Sequence, residues 1–563
     1  MSVQSRIGAQ HELLSSVPLL AGADEQTLAE LAQCLRPVEV RAGEIVIRQG
    51  DPADRMFLVR RGRLRVLVDQ EDGLRTVREL GAGAAIGELA LLTGTPRSAT
   101  VQAVRDGELL ELDADVFEAL LHRDPGLAVA VARTLAVQLQ ASGGLSMASP
   151  RPAVISLRAL GPAVAAADLA RELGEALGLF GAVETLTGDE SGDGHAASLD
   201  RAERDHALVL LVDAGEDAGW SAFCSRQADR HVVLAAPGAE DGSSAPPGAD
   251  LVVVEPLPSA RLVSLLETLE PRAHHHLERG ARGASVARVA RRLVGRALGV
   301  VFSGGGARGY AHIGALEAMR EDGLDIDRLG GCSIGAFIGA LHASGLTPDE
   351  MRARCREEFV RRSPFNDYTL PRVSLIRSRK AGRMLERVFG ETLVEELPIS
   401  LFTVSADLLA SRTVVHRSGL LLEAVGASMS IPGLVPPLSR PGRLLVDGGV
   451  LNNLPVDVMA ADDEGPIVAV DVIRRLDETK DGVAPPLPSI METLSRATVL
   501  GSVERAEQNR RLADLLVTPN VQDVAMREFS ALDRAADAGH EAMRAALDAG
   551  GAELIRARLA DAS

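Results

Sequence analysis

A serine set between two glycines is the clearest candidate for chemistry in this 563-residue chain. The run Gly331-Cys332-Ser333-Ile334-Gly335 joins two apolar stretches, and it predicts a sharp turn from a strand into a helix. Such a turn requires glycine on both sides because the strand and the helix leave no room for side chains beside the serine. The turn would lift the Ser333 hydroxyl off the sheet, which is the placement that a nucleophile needs.

A glycine-rich loop precedes this turn by one predicted strand. Residues 298–302 are apolar and lead into Gly304, Gly305 and Gly306, after which a helical pattern begins. Successive glycine N–H groups at a helix start form a donor concavity for an oxyanion. Gly304, Gly306 and Gly309 also satisfy the dinucleotide fingerprint, so NAD binding is the alternative. The serine turn stands where a dinucleotide site would need an acid, and it favours the oxyanion interpretation.

The base for the serine is predicted to be an aspartate. Asp447 follows the apolar residues 444–446 and precedes two glycines, whereas no histidine lies at a comparable strand end. His312 and His342 fall inside predicted helices, where packing is the ordinary role. The residues therefore predict a Ser333–Asp447 dyad. The competing interpretation of Asp447 is a turn acid in a D-G-G hairpin.

Three blocks of the chain resemble the patatin-like phospholipases in order and spacing: GGGARGYAHIGAL, GCSIGAFIGAL and DGGVLNNLPV. The resemblance implies a nucleophile at Ser333, a base at Asp447, and no metal or cofactor for catalysis. It also implies an oxyanion hole, and its residues here would be Gly304, Gly305, Gly306 and Arg308. The stretch AVGASMSIPGLVPPL, residues 424–438, is similar to the segment that this family places shortly before its aspartate.

Residues 1–140 are predicted to form a separate domain. A helix over 25–35 is followed by short strands with glycines at the turns, which indicates a small β-barrel or jelly roll. Gly87, Glu88 and Leu89 open a short helix, and Arg97 and Ser98 follow it. A carboxylate can accept a hydrogen bond from a sugar hydroxyl, and an arginine can pair with a phosphate.

This arrangement resembles the phosphate-binding cassette of cyclic nucleotide-binding domains. The resemblance implies that Gly87, Glu88, Leu89, Arg97 and Ser98 hold the ribose and the cyclic phosphate, with cAMP expected ahead of cGMP. The competing interpretation is a structural Glu–Arg ion pair in an unliganded docking module. No helix-turn-helix pattern follows the barrel, which disfavours a transcription regulator.

Residues 151–280 alternate apolar strands with helices and predict a middle α/β domain of structural or regulatory role. The run His274-His275-His276 is not a predicted metal site, because consecutive histidines in a helix or turn cannot all face one ion. The stretches FCSRQADRHVVLA, HHHLERG and SVARVARRLVGRALGVVFSGGGARG make the chain similar to the neuropathy target esterase subgroup. That subgroup joins cyclic-nucleotide-binding-like domains to a patatin-type lysophospholipase, expected here over residues 297–563. The chain differs from it in showing one sensor-like domain and no N-terminal membrane-spanning helix.

The net charge is 60 − 78 = −18, which argues against nucleic acid as a partner and against simple electrostatic adhesion to an anionic membrane. Four scattered cysteines, no signal peptide and no spanning stretch favour a cytoplasmic protein, peripheral to the inner face of the membrane. Basic residues mixed with apolar ones over 356–383 indicate where lipid approaches. We expect a serine esterase that acts on glycerophospholipids or lysophospholipids and is regulated by cyclic nucleotide. The alternative is a cyclic-nucleotide sensor with an inactive hydrolase scaffold.

Overall fold

The fold is that of a computed structural model. It describes residues 14, 17–20, 22–70, 73–142, 153–161, 166–188, 194–239, 242, 245–246, 248–370, 372–473, 493 and 500–560. The chain divides into two compact units. The first unit is Met1–Ala159, Ala165–Ala170 and Gly181–Val232, and the second is Leu160–Val164, Arg171–Phe180 and Val233–Ser563. None of the helices in the described ranges has the length and apolar character that a bilayer crossing needs.

An antiparallel β-barrel opens the first unit, as predicted. Its strands are β1 (Arg36–Val40), β2 (Ile45–Ile47), β3 (Arg55–Arg61), β4 (Leu64–Gln70), β5 (Gly73–Leu80), β6 (Ala85–Ile86), β7 (Thr100–Ala103) and β8 (Gly107–Asp113). They form two four-stranded sheets, in the orders β1-β8-β3-β6 and β2-β7-β4-β5. The helices are α1 (Glu25–Cys34), α2 (Glu88–Thr93), α3 (Ala114–Arg123) and α4 (Pro125–Ser142). Buried aliphatic side chains such as Val59, Leu64 and Leu109 fill the barrel.

Strands and helices alternate through the middle region. The strands are β9 (Val154–Ala159), β10 (Val183–Leu186), β11 (Leu208–Asp213), β12 (Arg230–Ala235), β13 (Asp250–Val253) and β14 (His274–His276). The helices are α5 (Ala166–Leu177), α6 (Gly194–Asp205), α7 (Ala218–Gln227) and α8 (Ser259–Leu269). In the first unit β10, β11 and β9 are parallel neighbours, and in the second β13 pairs with β14 in parallel. The three consecutive histidines therefore form a strand, not a helix or a turn.

An eight-stranded sheet organises the rest of the second unit. Its strands are β15 (Gly299–Phe302), β16 (Arg328–Cys332), β17 (Ser400–Asp407), β18 (Arg412–His416), β19 (Leu438–Arg440), β20 (Arg443–Asp447), β21 (Ile467–Val470) and β22 (Leu515–Val517). The order is β19-β20-β17-β16-β15-β21-β22, and β18 pairs with β17. The central strands β16, β15 and β21 are parallel and entirely buried. This burial explains the near-continuous apolar sequences of β15 and β21.

Helices cover this sheet. They are α9 (Arg282–Leu293), α10 (Ala311–Glu321), α11 (Ile334–Ala343), α12 (Pro348–Cys355), α13 (Arg379–Phe389), α14 (Leu421–Ser428), α15 (Val456–Ala460), α16 (Val503–Arg510), α17 (Leu532–Ala546) and α18 (Ala552–Ala560). Helices α10 and α17 cross at two glycines. A Cβ added at Gly314 would lie 1.7 Å from the carbonyl oxygen of Ala536, and one added at Gly539 would lie 1.9 Å from that of Ala311. The two backbones are therefore in direct contact.

The sheet brings three chain segments to one edge. Strands β15 and β16 are parallel neighbours, with Phe302 opposite Gly331, so the residues that follow them emerge side by side. Strand β20 runs antiparallel to β17, and its last residue, Asp447, lies opposite Ser405. On the other side of β17, Cys332 lies opposite Val404. The ends of β15, β16 and β20 therefore meet at one place.

Candidate active site

Ser333 occupies a strained turn between β16 and α11. Its backbone has φ 55° and ψ −122°, a conformation that residues other than glycine rarely adopt. The flanking glycines are required by contact. A Cβ at Gly331 would lie 2.6 Å from the carbonyl carbon of Gly335, and one at Gly335 would lie 2.6 Å from the carbonyl oxygen of Phe302. The turn thus has the geometry of a nucleophile elbow.

The Ser333 hydroxyl donates a hydrogen bond to Asp447, with Oγ and Oδ2 separated by 2.6 Å. The second carboxylate oxygen, Oδ1, accepts from the N–H of Gly449 at 2.8 Å and from the Cys332 thiol at 3.6 Å. Burial raises the pKa of Asp447 to about 6, although the hydrogen bonds from Ser333 and Gly449 oppose the shift. A carboxyl group with that pKa is ionised at neutral pH and is poised to take a proton.

The histidines near this edge of the sheet have other partners. The Nε2 atom of His312 hydrogen-bonds with the carbonyl oxygen of Ser303 at 2.9 Å, and that of His416 lies 2.7 Å from the Ser405 hydroxyl. Burial lowers the pKa of His312 to about 4. Among the residues that the structure describes, no histidine hydrogen-bonds with Ser333 or Asp447. The contacts at Ser333 are those of a two-residue arrangement.

The glycine loop lies against the serine. A Cβ at Gly304 would lie 3.1 Å from the Cβ of Ser333 and 2.5 Å from the side-chain oxygen of Asn453. The N–H of Gly304 donates to the carbonyl oxygen of Asn453 at 3.1 Å, and the Asn453 side-chain amide donates back to the Gly304 carbonyl at 3.3 Å. Within the described part of the chain, the N–H groups of Gly305 and Gly306 have no hydrogen-bond acceptor. Two of the three predicted donors are therefore unengaged.

Arg308, the fourth residue of the predicted oxyanion hole, has a different contact. Its Nε donates to the carbonyl oxygen of Val524 at 2.7 Å. Gly306 faces the same segment, because a Cβ at that position, where φ is +59°, would lie 2.3 Å from the carbonyl oxygen of Met526. Arg308 therefore tethers a segment that closes over the glycine loop.

The end of α14 and the residues just after it contact both Ser333 and Asp447, which the sequence pattern did not reveal. The Ser428 hydroxyl accepts a hydrogen bond from the N–H of Ser333 at 2.8 Å, and the Ser430 carbonyl accepts one from the N–H of Asp447 at 2.9 Å. Ser428 is completely buried. Both serines belong to the stretch 424–438, and only the resemblance of that stretch to the family indicated that it lies near the site. Asn453 likewise belongs to a block that resembles the family, but its residue type alone does not indicate a role at the site.

An open pocket lies beside Ser333. Most of its wall is apolar, and the lining includes Ile334, Phe359, Phe365, Met429, Leu434 and Phe529. The rings of Phe359 and Phe529 stack with centroids 5.2 Å apart, and Phe365 stacks on Phe529 at 5.8 Å. Such a surface suits an acyl chain better than a charged or hydrogen-bonding substrate.

The predicted nucleotide-site residues lie around the start of α2 in the first unit. Gly87 has a positive φ of 86°, and a Cβ there would lie 2.5 Å from Nη1 of Arg97. Arg97 is buried, and its guanidinium donates to the carbonyl oxygens of Gly87 at 3.0 Å and Arg55 at 2.6 Å. Glu88 is buried, whereas Leu89 and Ser98 are exposed. The structure brings Gly87 and Arg97 together and leaves Ser98 at the surface.

The barrel is joined to the start of the middle region by buried ion pairs within the first unit. Asp229, which is 2% exposed at its side chain, pairs with Arg105 at 2.9 Å and lies 3.6 Å from Arg63. Its other oxygen accepts hydrogen bonds from the N–H groups of Ala153 and Val154, where β9 begins. One carboxylate therefore connects two barrel arginines to a strand of the α/β region.

Two parts of the chain match known families. Residues 300–460 match the patatin-like phospholipase family, and residues 37–124 match the cyclic nucleotide-binding domain. The first match contains the glycine loop, Ser333 and Asp447. The second contains the segment from Gly87 to Ser98.

Whole-chain relatives span both matches. An uncharacterized NTE family protein of Mycobacterium tuberculosis is 36% identical over 95% of this chain and 96% of its own length. Lysophospholipase NTE1 of Mycosarcoma maydis is 27% identical over 92% of this chain, which corresponds to 34% of that longer protein. Among solved structures, the regulatory domain of Toxoplasma gondii PKA with cAMP is 30% identical over 21% of this chain and 46% of its own, with a TM-score of 0.21.

Proposed function

The chain belongs to the NTE family of patatin-like phospholipases, and we propose that this lipid ester hydrolase is a lysophospholipase that works through Ser333 and Asp447. The observation that supports this most directly is the 2.6 Å hydrogen bond from the Ser333 hydroxyl to the Asp447 carboxylate. That bond lies beside a pocket of apolar side chains. An ester carbonyl that enters this pocket would meet the hydroxyl.

In the first step, the Ser333 oxygen attacks the ester carbonyl while Asp447 takes the hydroxyl proton. The carbonyl π electrons move onto its oxygen, and the N–H groups of Gly305 and Gly306 stabilise the resulting oxyanion. The N–H of Gly304 is engaged with Asn453, so its contribution is to hold the loop against the serine. The tetrahedral intermediate collapses, the bond to the glycerol oxygen breaks, and the deacylated glycerophospho-alcohol leaves with the proton from Asp447, so that an acyl-enzyme remains.

In the second step, water attacks the acyl-enzyme. Asp447 takes a proton from the water and returns it to the serine oxygen as the acyl–oxygen bond breaks. The products are a fatty acid and the regenerated enzyme, so no metal or redox partner enters the balance. We propose a glycerophospholipid or lysophospholipid substrate that is met at a membrane surface. The fungal relative's name, a lysophospholipase, supports the lysophospholipid.

We further propose that a cyclic nucleotide, cAMP ahead of cGMP, regulates this activity through Gly87, Glu88, Leu89, Arg97 and Ser98. In this proposal, residues 1–140 act as the sensor, residues 151–280 connect, and residues 297–563 catalyse. The pairing of Asp229 with Arg63 and Arg105 supports a mechanical connection from the barrel into the middle region. Regulation then requires that the nucleotide has different affinities for two states of the chain.

The test is fatty-acid release from lysophosphatidylcholine by the purified chain, with and without cAMP. Ser333→Ala and Asp447→Asn should each lower kcat by roughly 10³-fold or more, because each removes a reacting group. Circular dichroism and cAMP binding of both variants control for folding. Full activity of Asp447→Asn would overturn the base assignment. A wild type that is inert on short-chain esters as well would favour a cyclic-nucleotide sensor with an inactive scaffold.

A further inference from the structure

A loop beside the pocket exposes an unusual set of apolar side chains. We call residues 367–370 and 372–377 the rim loop. Leu370 is 86% exposed, Val373 71% and Tyr368 59%. The two ends of the loop are held together, because Tyr368 pairs with Ile376 in antiparallel fashion and the N–H of Arg377 donates to the carbonyl of Asp367 at 2.9 Å. The apolar side chains of Leu370 and Val373 thus lie near the tip of a narrow projection.

The base of the rim loop is part of the pocket wall. The N–H groups of Leu375 and Ile376 donate to the carbonyls of Gly433 and Leu434, at 2.9 Å and 3.1 Å. Ile376 is buried against Leu434 and Val435, which line the pocket. The projection is therefore anchored at the rim of the acyl pocket, while its tip faces solvent.

A second contact joins the rim loop to another residue that lines the pocket. Arg527, another pocket-lining residue, donates to the Tyr368 hydroxyl at 2.9 Å, and its guanidinium lies 5.9 Å from the centre of the Tyr368 ring. The same guanidinium reaches the carbonyl oxygen of Phe365 at 3.4 Å. The half-exposed tyrosine is thus held in place at the pocket mouth.

The charge around the rim loop is opposite to that of the whole chain. Residues 361–383 contain seven basic residues and one acidic residue, 7 − 1 = +6, in a chain of net charge −18. The basic residues are Arg361, Arg362, Arg372, Arg377, Arg379, Lys380 and Arg383. The single acid, Asp367, accepts hydrogen bonds from the N–H groups of Arg379 and Lys380 at 2.8 Å and 3.2 Å, so it caps α13.

Three of these arginines are free to bind an anion. In the part of the chain that the structure describes, no carboxylate lies within ion-pair distance of Arg372, Arg377 or Arg379, and all three are exposed. The other basic segment of the hydrolase, α9, differs. There, Arg291 pairs with Asp327 and Arg292 pairs with Glu464, each at 2.7 Å. The arginines of α9 stabilise the fold, whereas those of the rim loop have no such role.

We propose that the rim loop is the surface by which this hydrolase docks on anionic phospholipid. This inference rests on the proposed lipid esterase function and names the contact that function would use. Leu370 and Val373 enter the interfacial region, and Arg372 and Arg377 contact lipid phosphates. The apolar tip and the unpaired arginines of the rim loop together fit a lipid surface. Because the base of the loop is anchored in the pocket wall, docking by the tip would place the pocket mouth against that surface. The local positive charge acts within about 10 Å, so the negative charge elsewhere on the chain is screened.

The test is co-sedimentation with vesicles in a Ser333→Ala background, which leaves the lipid intact. The vesicles are phosphatidylcholine alone, or phosphatidylcholine mixed with phosphatidylglycerol. We expect the mixed vesicles to bind the protein, and Leu370→Glu with Val373→Glu to reduce the bound fraction about ten-fold or more. Arg372→Gln with Arg377→Gln should reduce binding to the mixed vesicles and remove most of its salt dependence. The matched control is Leu409→Glu, since Leu409 is 66% exposed in the same unit.

Activity separates this inference from the proposed function. With Ser333 intact, the Leu370/Val373 variant should hydrolyse a soluble short-chain ester at the wild-type rate and should lose hydrolysis of vesicle-borne lysophospholipid. A wild type that cleaves neither substrate refutes the esterase, while vesicle binding still reports on the rim loop. Vesicle binding by the Leu370/Val373 variant equal to that of Leu409→Glu would overturn the inference. So would a wild-type dimer in solution that this variant converts to a monomer, because the partner would then be a second copy.

Discussion

The two candidate sites of this chain prepare their key groups in different ways. In the hydrolase, Ser333 and Asp447 already contact each other at 2.6 Å, and hydrogen bonds with neighbouring segments hold both residues. In the barrel, the guanidinium that is predicted to bind a phosphate is hydrogen-bonded to backbone carbonyl oxygens of the protein. Arg97 donates to the carbonyl oxygens of Gly87 and Arg55. In the first site the predicted reacting atoms face a pocket. In the second site the predicted phosphate-binding guanidinium is hydrogen-bonded to backbone carbonyls.

The roles that we propose for the two sites account for this difference. A catalyst gains rate from groups that need no reorganisation when charge develops, so strain at Ser333 is maintained by surrounding contacts. A regulatory site gains from contacts that a ligand exchanges, because only a difference in affinity between states moves an equilibrium. Hydrogen bonds from Arg97 to backbone carbonyls, which a ligand can exchange, are therefore what we expect of a sensor. The direct contact between Ser333 and Asp447 is what we expect of an esterase.

Replacing Arg97 tests the sensor side of the comparison, and we expect a large loss of nucleotide affinity. Arg97→Ala removes a charge-assisted donor, so we expect cAMP affinity to fall roughly 10–100-fold, as measured by calorimetry. The cAMP affinity of Arg97→Lys should lie between those of Arg97→Ala and the wild type, because lysine keeps the charge but loses the forked geometry. Hydrolysis of a soluble ester without nucleotide should be unchanged.

The matched control for Arg97 is Arg60→Ala, since Arg60 lies on β3 of the same barrel and pairs with Glu108. It should leave cAMP affinity intact. Equal affinity in Arg97→Ala and wild type would show that Arg97 is a structural residue, and the barrel would then be a docking module.

The pH dependence tests the catalytic side. Burial raises the pKa of Asp447 to about 6, and only the ionised carboxylate can take the serine proton. We therefore expect kcat/KM on a soluble ester to fall about ten-fold per pH unit below pH 6. The raised pKa also means that burying the ionised carboxylate destabilises the fold above about pH 6. That cost disappears as the pH falls toward the ordinary value of 3.8.

The pH prediction has its own control in the residual activity of Asp447→Asn, which should lose the inflection near pH 6. An inflection that persists in that variant would assign the titration to another group.

The smallest expected effect concerns the contact between α14 and the nucleophile. Ser428→Ala removes the acceptor for the N–H of Ser333, so the strained turn loses one support. We expect kcat to fall roughly 2–10-fold, with KM for a soluble ester unchanged. Ser430→Ala is the matched control, because its contact with Asp447 uses the backbone carbonyl, which alanine retains. Equal losses in both variants would indicate general destabilisation, not positioning.

The turn around Ser333 could be predicted because steric contacts there allow only one residue type. A Cβ added at Gly331 or Gly335 would lie 2.6 Å from backbone atoms, so the turn around Ser333 requires glycine at both positions and can be recognised from the sequence. The barrel, the α/β patterning and the family membership were also confirmed. Helix α1 was expected over 25–35 and runs from Glu25 to Cys34. The sequence also predicts a C-terminal helix over 489–508, of which residues 489–492 and 494–499 lie outside the described residues.

The parts that were missed depend on contacts that leave no pattern. Strand β10 is only partly buried, and β14 is three histidines long, so neither shows an apolar run. Ser428 and Ser430 reach the dyad through one hydroxyl and one carbonyl, and neighbouring serines would look the same in sequence. The engagement of the Gly304 N–H with Asn453 depends on a residue almost 150 positions away. Three glycines predicted a donor loop but not which donors are unengaged.

The crossing of α10 and α17 has a consequence for how the protein matures. Helix α10 continues directly from the glycine loop, and the helix that packs against its backbone lies 539 − 314 = 225 residues later. At 5–20 residues per second, synthesis of that interval takes about 10–45 s. During this time the glycine loop has no support from α17, so we expect a nascent chain that is still shorter than 532 residues to be inactive. Ester hydrolysis by a ribosome-bound chain of that length would contradict this order of events.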